Sequence, residues 1–205
     1  MELIKQLFSD SEDGKLLFSN SDALFSVANS DKGITTLAGY ALKWNDLSSR
    51  KGGFKVRLAP NSANFMVPTL ALMNHDPNQI LARNDEGDLR LTPDATGVKA
   101  EIDMDMSVSY AKDAVINVNK RKIKGMSFAM LLKGAEYSES KENGEDILTF
   151  SKFNVDEVTI TPVPSFANTS IEVKPSQIQL SKNKEEYLDQ YLKLRELEIW
   201  LNASK

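Results

Sequence analysis

A chain of 205 residues with 41% hydrophobic and 26% charged side chains is long enough to bury one sizeable core, and its composition is neither disordered nor membrane-spanning. A net charge of -4 lends no support to a nucleic-acid partner. With no cysteine and a single histidine, His75, disulfides, thiolate nucleophiles, cysteine zinc sites and multi-histidine metal cages are excluded. The apolar run at residues 1–8 is too short for a signal peptide or a transmembrane helix, so a soluble, intracellular protein without membrane association, metal or cofactor is expected.

Residues 1–21 scatter Ser, Asp, Asn and Gly among short apolar pieces such as Leu16-Leu17-Phe18, the composition of a loosely held N-terminal extension. Residues 24–28 and 34–44 have strand character and flank Ser30-Asp31-Lys32-Gly33, which suits a hairpin turn. After a polar loop over 45–53, strand character returns at 54–58 and at 67–73, the latter leading into Asn74-His75-Asp76-Pro77. Asn84-Asp85-Glu86-Gly87 and Pro93-Asp94-Ala95-Thr96-Gly97 are turns on either side of a short strand at 89–91. The clearest two-residue alternation comes next: Val98, Ala100, Ile102 and Met104 against Lys99, Glu101, Asp103 and Asp105, a strand with one dry and one wet face.

From about Ser107 the period becomes helical, with Val108, Ala111, Val115 and Val118 on one side, Ser107 or Ser109 as cap and Gly125 beyond the end. The basic trio Lys120-Arg121-Lys122 suits the negative end of that helix dipole better than a nucleic-acid patch. Residues 123–132 are almost wholly apolar around Ser127, as in a strand buried on both faces. A charged loop is expected over 136–145, then two strands at 147–153 and 155–161, stopped by Pro162 and Pro164.

About eight short strands and one internal helix predict a mainly β, α+β body over 22–174 in the form of a small closed barrel, since closure removes exposed edges. The segment 175–205 differs: Asn183 with Glu186 resembles a capping box, and Tyr187, Leu188, Tyr191, Leu192, Leu194, Leu197 and Leu201 stripe an amphipathic helix. That helix either docks on the body or serves a partner or a second copy.

The chemical inventory is short. A hydrolase built from this chain needs a serine or threonine nucleophile with His75 as base and a carboxylate to orient the imidazole. There is no G-x-S-x-G elbow. Ser127, in Gly125-Met126-Ser127-Phe128, is a hydroxyl inside an apolar strand: either a nucleophile or a buried serine bonded to a nearby carbonyl. Glu157, in Asp156-Glu157-Val158-Thr159, is a strand carboxylate that either faces water or serves the site.

Taken together, Gly39-Tyr40-Ala41, Met73-Asn74-His75-Asp76-Pro77, Gly125-Met126-Ser127-Phe128 and Asp156-Glu157-Val158-Thr159-Ile160-Thr161-Pro162-Val163-Pro164, followed by Ala167-Asn168, resemble in order and spacing the prohead (capsid maturation) protease family of tailed phages. The resemblance covers roughly residues 22–174. It implies a serine endopeptidase with a barrel related to herpesvirus assemblin, His75 at the catalytic histidine, Ser127 at the nucleophile and Glu157 as third member, with Asp156 and Asp76 as competing acids. Assemblin carries a second histidine in the third role, which this chain lacks, in keeping with a carboxylate there. Backbone N–H groups near Ser127, or Arg121, are candidates for the oxyanion hole. The implied substrates are the major capsid protein and the scaffold protein, cleaved inside the immature shell in the host cytoplasm, with the C-terminal tail a candidate for self-association or autocleavage and no cofactor required. The alternative is a non-enzymatic barrel that binds capsid or scaffold protein; a general serine esterase or amidase is a further one.

Overall fold

The computed structural model describes residues 15–20, 26–29, 33–48 and 54–162, which form ten strands and one helix. In chain order these are β1 (Lys15–Asn20), β2 (Ser26–Asn29), β3 (Ile34–Lys43), β4 (Phe54–Leu58), β5 (Ala63–Met73), β6 (Asp76–Arg83), β7 (Leu89–Pro93), β8 (Gly97–Asp105), α1 (Ser109–Asn119), β9 (Gly125–Glu142) and β10 (Glu145–Thr161).

The two longest strands, β9 and β10, organise the rest. They form an antiparallel hairpin closed by Asn143-Gly144, both at positive φ (50° and 81°), as a tight two-residue hairpin demands and Asn-Gly supplies with little strain. β10 is long enough to take two parallel partners in succession along its other side: β4 along Asp146 to Phe150, then β5 along Phe153 to Ile160. With β1 antiparallel on the outer side of β9 and β6 antiparallel on β5, the first sheet runs β1-β9-β10-β5-β6. The second sheet, β2-β3-β8-β7, is wholly antiparallel.

β10 does not keep one strict alternation. Its inward residues come as Leu148 and Phe150, then Phe153 and Val155, then Val158 and Ile160, each pair displaced by three rather than two. Register shifts against β9 fall between these pairs. The shifts at Phe150/Lys152 and Val155/Glu157 each add a residue on β10 and invert the phase of the strand beyond it. The last of them, at Asp156, separates inward Val155 from Glu157, which would otherwise share its face.

Inward side chains of both sheets and of α1 make one core cluster: Phe18, Phe128, Phe153 and Ile160 from the first sheet, Leu37, Val98 and Ile102 from the second, and Ala114 and Val118 from the helix. Phe18 stacks on Phe128 (centroids 5.5 Å) and Phe128 on Phe153 (6.1 Å).

Among the described residues the architecture is mostly β with one helix, and these residues do not form the expected closed barrel. β1 and β6 end the first sheet without pairing to each other, and β2, β3, β8 and β7 form a separate sheet. The reason is β10: a strand flanked by β9 on one side and by β4 and β5 in tandem on the other cannot be one stave in a simple closed round. Lys15–Asn20, expected in a loose extension, is a paired strand that buries Leu16 and Phe18. Residues 136–142, expected as a charged loop, continue β9, and residues 147–153 and 155–161 are one strand. Strand β6 had no sequence expectation. On α1, Val108 is the N-cap with no side-chain cap, and the left-handed residue after the helix is Arg121 (φ 57°), not Gly125, which opens β9. The expected C-terminal helix lies outside the described residues.

Candidate active site

The hairpin from β5 to β6 closes through only two residues, Asn74 and His75, with Met73 paired to Asp76. Both have positive φ, 53° and 61°, the left-handed geometry that a two-residue hairpin turn requires and that asparagine and histidine tolerate better than most side chains. The sole histidine is thus presented at the tip of a tight turn rather than on the body of a strand.

That tip is held by the adjacent strand. Glu157, Thr159 and Thr161 alternate along one face of β10, and each bonds the turn. Glu157 Oε1 hydrogen-bonds His75 Nδ1, the His75 backbone N–H donates to Thr159 Oγ1 (3.0 Å), and Thr161 Oγ1 donates to Asn74 Oδ1 (3.2 Å). The Asn74 N–H also donates to the Ile160 carbonyl (2.9 Å). Thr159 in turn donates to the Leu72 carbonyl (2.8 Å). The Glu157 side chain is 9% exposed and the His75 side chain 20%, so the pair is largely withdrawn from water. A carboxylate on Nδ1 selects the tautomer that bears its proton there and leaves Nε2 as the basic nitrogen.

Ser127 sits on the other neighbour of the same strand. In the β9–β10 register it lies opposite Thr159, while Ala129 lies opposite Glu157. Directly opposed Cβ atoms are about 4.5–5.5 Å apart and diagonal ones about 7–8 Å, which puts Ser127 near Thr159 and diagonal to Glu157 on their shared face. Its hydroxyl is fully buried and donates to the Phe18 carbonyl of β1 (2.8 Å), on the side of β9 away from β10. A bond of this kind is also what a structural serine makes.

The competing acids have other partners. Asp156, the bulge residue, pairs with Lys15 (2.6 Å). Asp76 accepts from Asn78 and Gln79 within β6, and the Asn78 backbone N–H, followed by the Asn78 side chain, holds its carboxyl below the usual range. Arg121 is exposed beyond the end of α1. Among the described residues no group of three or more His, Asp or Glu side chains has the geometry to hold a metal ion, and no helix is long and apolar enough to cross a membrane.

Thr159, Thr161 and Asn74 lie in the motifs that carry the resemblance but were given no role of their own. The signal for the two threonines was present in Glu157-x-Thr159-x-Thr161, three polar side chains at strand spacing beside the phase break at Asp156.

A serine peptidase is the class to which the chain matches: the family model described as Caudovirus prohead serine protease aligns with residues 23–184. The match spans most of the 205 residues, and the chain belongs to the caudovirus prohead serine protease family, whose members are serine peptidases of tailed phages. No curated protein and no solved structure matches the chain. Membership supports a capsid maturation protease and implies work in the phage procapsid within the host cell, on capsid proteins.

Proposed function

We propose that Ser127 is the nucleophile, His75 the general base and Glu157 the group that orients and supports the imidazole. The substrate is the scaffold protein or a scaffold segment of the major capsid protein, cleaved inside the immature shell. The observation that carries this reading is the Glu157–His75 Nδ1 hydrogen bond, formed on the same face of the sheet as Ser127 and one strand away from it.

The Ser127 hydroxyl leaves the Phe18 carbonyl and turns its proton toward His75 Nε2. As Oγ attacks the scissile carbonyl carbon, Nε2 takes that proton, and the imidazolium is stabilised by the Glu157 carboxylate on Nδ1. Collapse of the tetrahedral intermediate transfers the proton from Nε2 to the leaving amine and leaves an acyl ester on Ser127. Water, deprotonated by the same nitrogen, then releases the acyl group and regenerates the serine. Ser127 has no exposed surface in this state, so a peptide reaches it only after local opening.

The test is cleavage of the phage's own major capsid and scaffold proteins by the full chain. Ser127→Ala and His75→Ala are each expected to lower the rate by roughly 10⁴-fold or more, with the double variant scarcely worse, because members of a triad act as a unit. A folded Ser127→Ala protein that cleaves normally eliminates Ser127.

A further inference from the structure

We propose that Thr159 is a positioning residue of this site: its single hydroxyl clamps the His75 turn onto β10 and thereby sets where the imidazole can reach. The inference rests on the catalytic reading of Ser127, His75 and Glu157 given above.

Thr159 is fully buried, and both its hydroxyl functions are engaged at the turn. It accepts from the His75 backbone N–H at 3.0 Å and donates to the Leu72 carbonyl at 2.8 Å, so one oxygen ties together the residue that carries the base and the strand that delivers it. The hydroxyl proton is given to the Leu72 carbonyl, so the oxygen's lone pair is what receives the His75 N–H. In register Thr159 lies directly between Ser127 on β9 and Leu72 on β5. Its backbone therefore defines the gap between the nucleophile strand and the histidine turn, while its side chain fixes the turn across that gap.

The need for such a clamp arises from the turn itself. Two consecutive non-glycine residues at positive φ, Asn74 and His75, occupy a sparsely populated conformation that persists only where the surroundings over-determine it. Glu157 holds the ring through Nδ1, but a bond to one ring nitrogen leaves the imidazole free to swing about that contact. Fixing the backbone N–H as well gives the residue two anchors, and two anchors define where Nε2 points. Displacement of a catalytic group by about 1 Å costs on the order of 10²-fold in rate.

Two substitutions separate positioning from packing, because they reverse the order expected. Thr159→Val keeps the volume and the branched Cβ but deletes the hydroxyl; Thr159→Ser keeps the hydroxyl but deletes a methyl from a buried site. In the full chain, the rate of covalent labelling by a fluorophosphonate and the rate of capsid-protein cleavage are expected to fall about 10²-fold in Thr159→Val and to be largely restored in Thr159→Ser. The single histidine supplies a readout independent of activity: with ¹⁵N-histidine incorporated, every imidazole resonance belongs to His75. A single ordered set of His75 ring resonances is expected in the wild type and in Thr159→Ser, and shifted, exchange-broadened ring resonances in Thr159→Val, where the imidazole swings about the retained Glu157 contact.

A serine variant equal to or worse than the valine variant, in rate and in ring resonances, overturns the inference in favour of packing. Should Thr159→Val fail to fold, amide hydrogen exchange on the unmodified protein decides. The His75 N–H is expected to exchange far more slowly than an open turn amide, and exchange at the open rate overturns the clamp. Ser127→Ala and Glu157→Gln in the same assays keep the two claims apart: full activity in those variants refutes the catalytic reading, whereas their loss together with an unimpaired Thr159→Val refutes only the role of Thr159.

Discussion

Replacing Glu157 by glutamine probes the site with the least disturbance of shape, since the two side chains are nearly isosteric and Glu157 is withdrawn from solvent beside His75. In the proposed mechanism the imidazole becomes an imidazolium, and the carboxylate then faces a full positive charge across a hydrogen bond. Taking the charge centres as about 4 Å apart at an effective dielectric of about 20, the attraction is about 4 kcal/mol. Exposure of 20% at the histidine lets water recover part of it. A loss of about 3–4 kcal/mol remains, which at about 1.4 kcal/mol per tenfold corresponds to a rate lower by roughly 10²–10³. The glutamine amide has a second effect: turned to donate, it favours the tautomer with the proton on Nε2, which cannot act as base. The substitution should therefore cost less than removal of Ser127 or His75 but far more than a surface change. Single-turnover cleavage of the capsid or scaffold substrate measures it, with urea unfolding of each variant to establish that the fold is intact. Activity in Glu157→Gln within about threefold of the wild type would refute the electrostatic argument, since about 0.7 kcal/mol is too little for a buried carboxylate facing an imidazolium. The third role would then pass to another acid or to none.

Two further outcomes test the frame around the site. Phe18→Ala, which deletes a fully buried ring stacked on Phe128, should destabilise the protein by about 3–5 kcal/mol, whereas Leu17→Ala, at a position 44% exposed, should change stability far less; equal urea midpoints for the two variants would show that β1 is not part of the core. On β8, Asp103 is held below the usual aspartate range chiefly by its hydrogen bonds to Arg90 (2.6 and 3.0 Å), with Thr36 adding a further bond. A depressed carboxylate contributes stability that is fully present above the ordinary value of about 3.9 and is lost as pH falls through the lower folded value. Asp103→Asn should therefore lose less stability than the wild type between pH 5 and pH 2, and identical acid losses in the two proteins would contradict the pairing.

Local patterns are legible where one face of a strand is dry and the other wet. Val98 to Met104 alternate in the sequence and lie buried in β8 as expected, and Phe54 to Leu58 form β4 within the anticipated bounds. The long hairpin arm escapes a sequence reading because residues 136–142 bury almost nothing, so no alternation marks them; the turn signal Asn143-Gly144 is there, but a strand segment wet on both faces reads as a polar loop. Strand β6 escapes it for a similar reason, since Asp76, Pro77, Asn78 and Gln79 have loop composition and become strand only by pairing with β5.

From the sequence alone, a hydrolase built from this chain was confined to a hydroxyl nucleophile served by one histidine; His75 and Ser127 stood out by their surroundings, and Glu157 through the family resemblance. Mostly β structure with a helix near residues 109–119 was legible too among the described residues, because period and turn composition are local properties. The tertiary structure alone decided which acid meets the histidine. Asp156 and Glu157 are neighbours of the same charge, and the choice depends on a bulge that turns one toward Lys15 and the other toward Nδ1. It also decided that the sheets stay open and that Thr159 holds the histidine turn. Both are consequences of register, which is fixed by pairing between strands far apart in the chain and so leaves no mark within a window of a few residues.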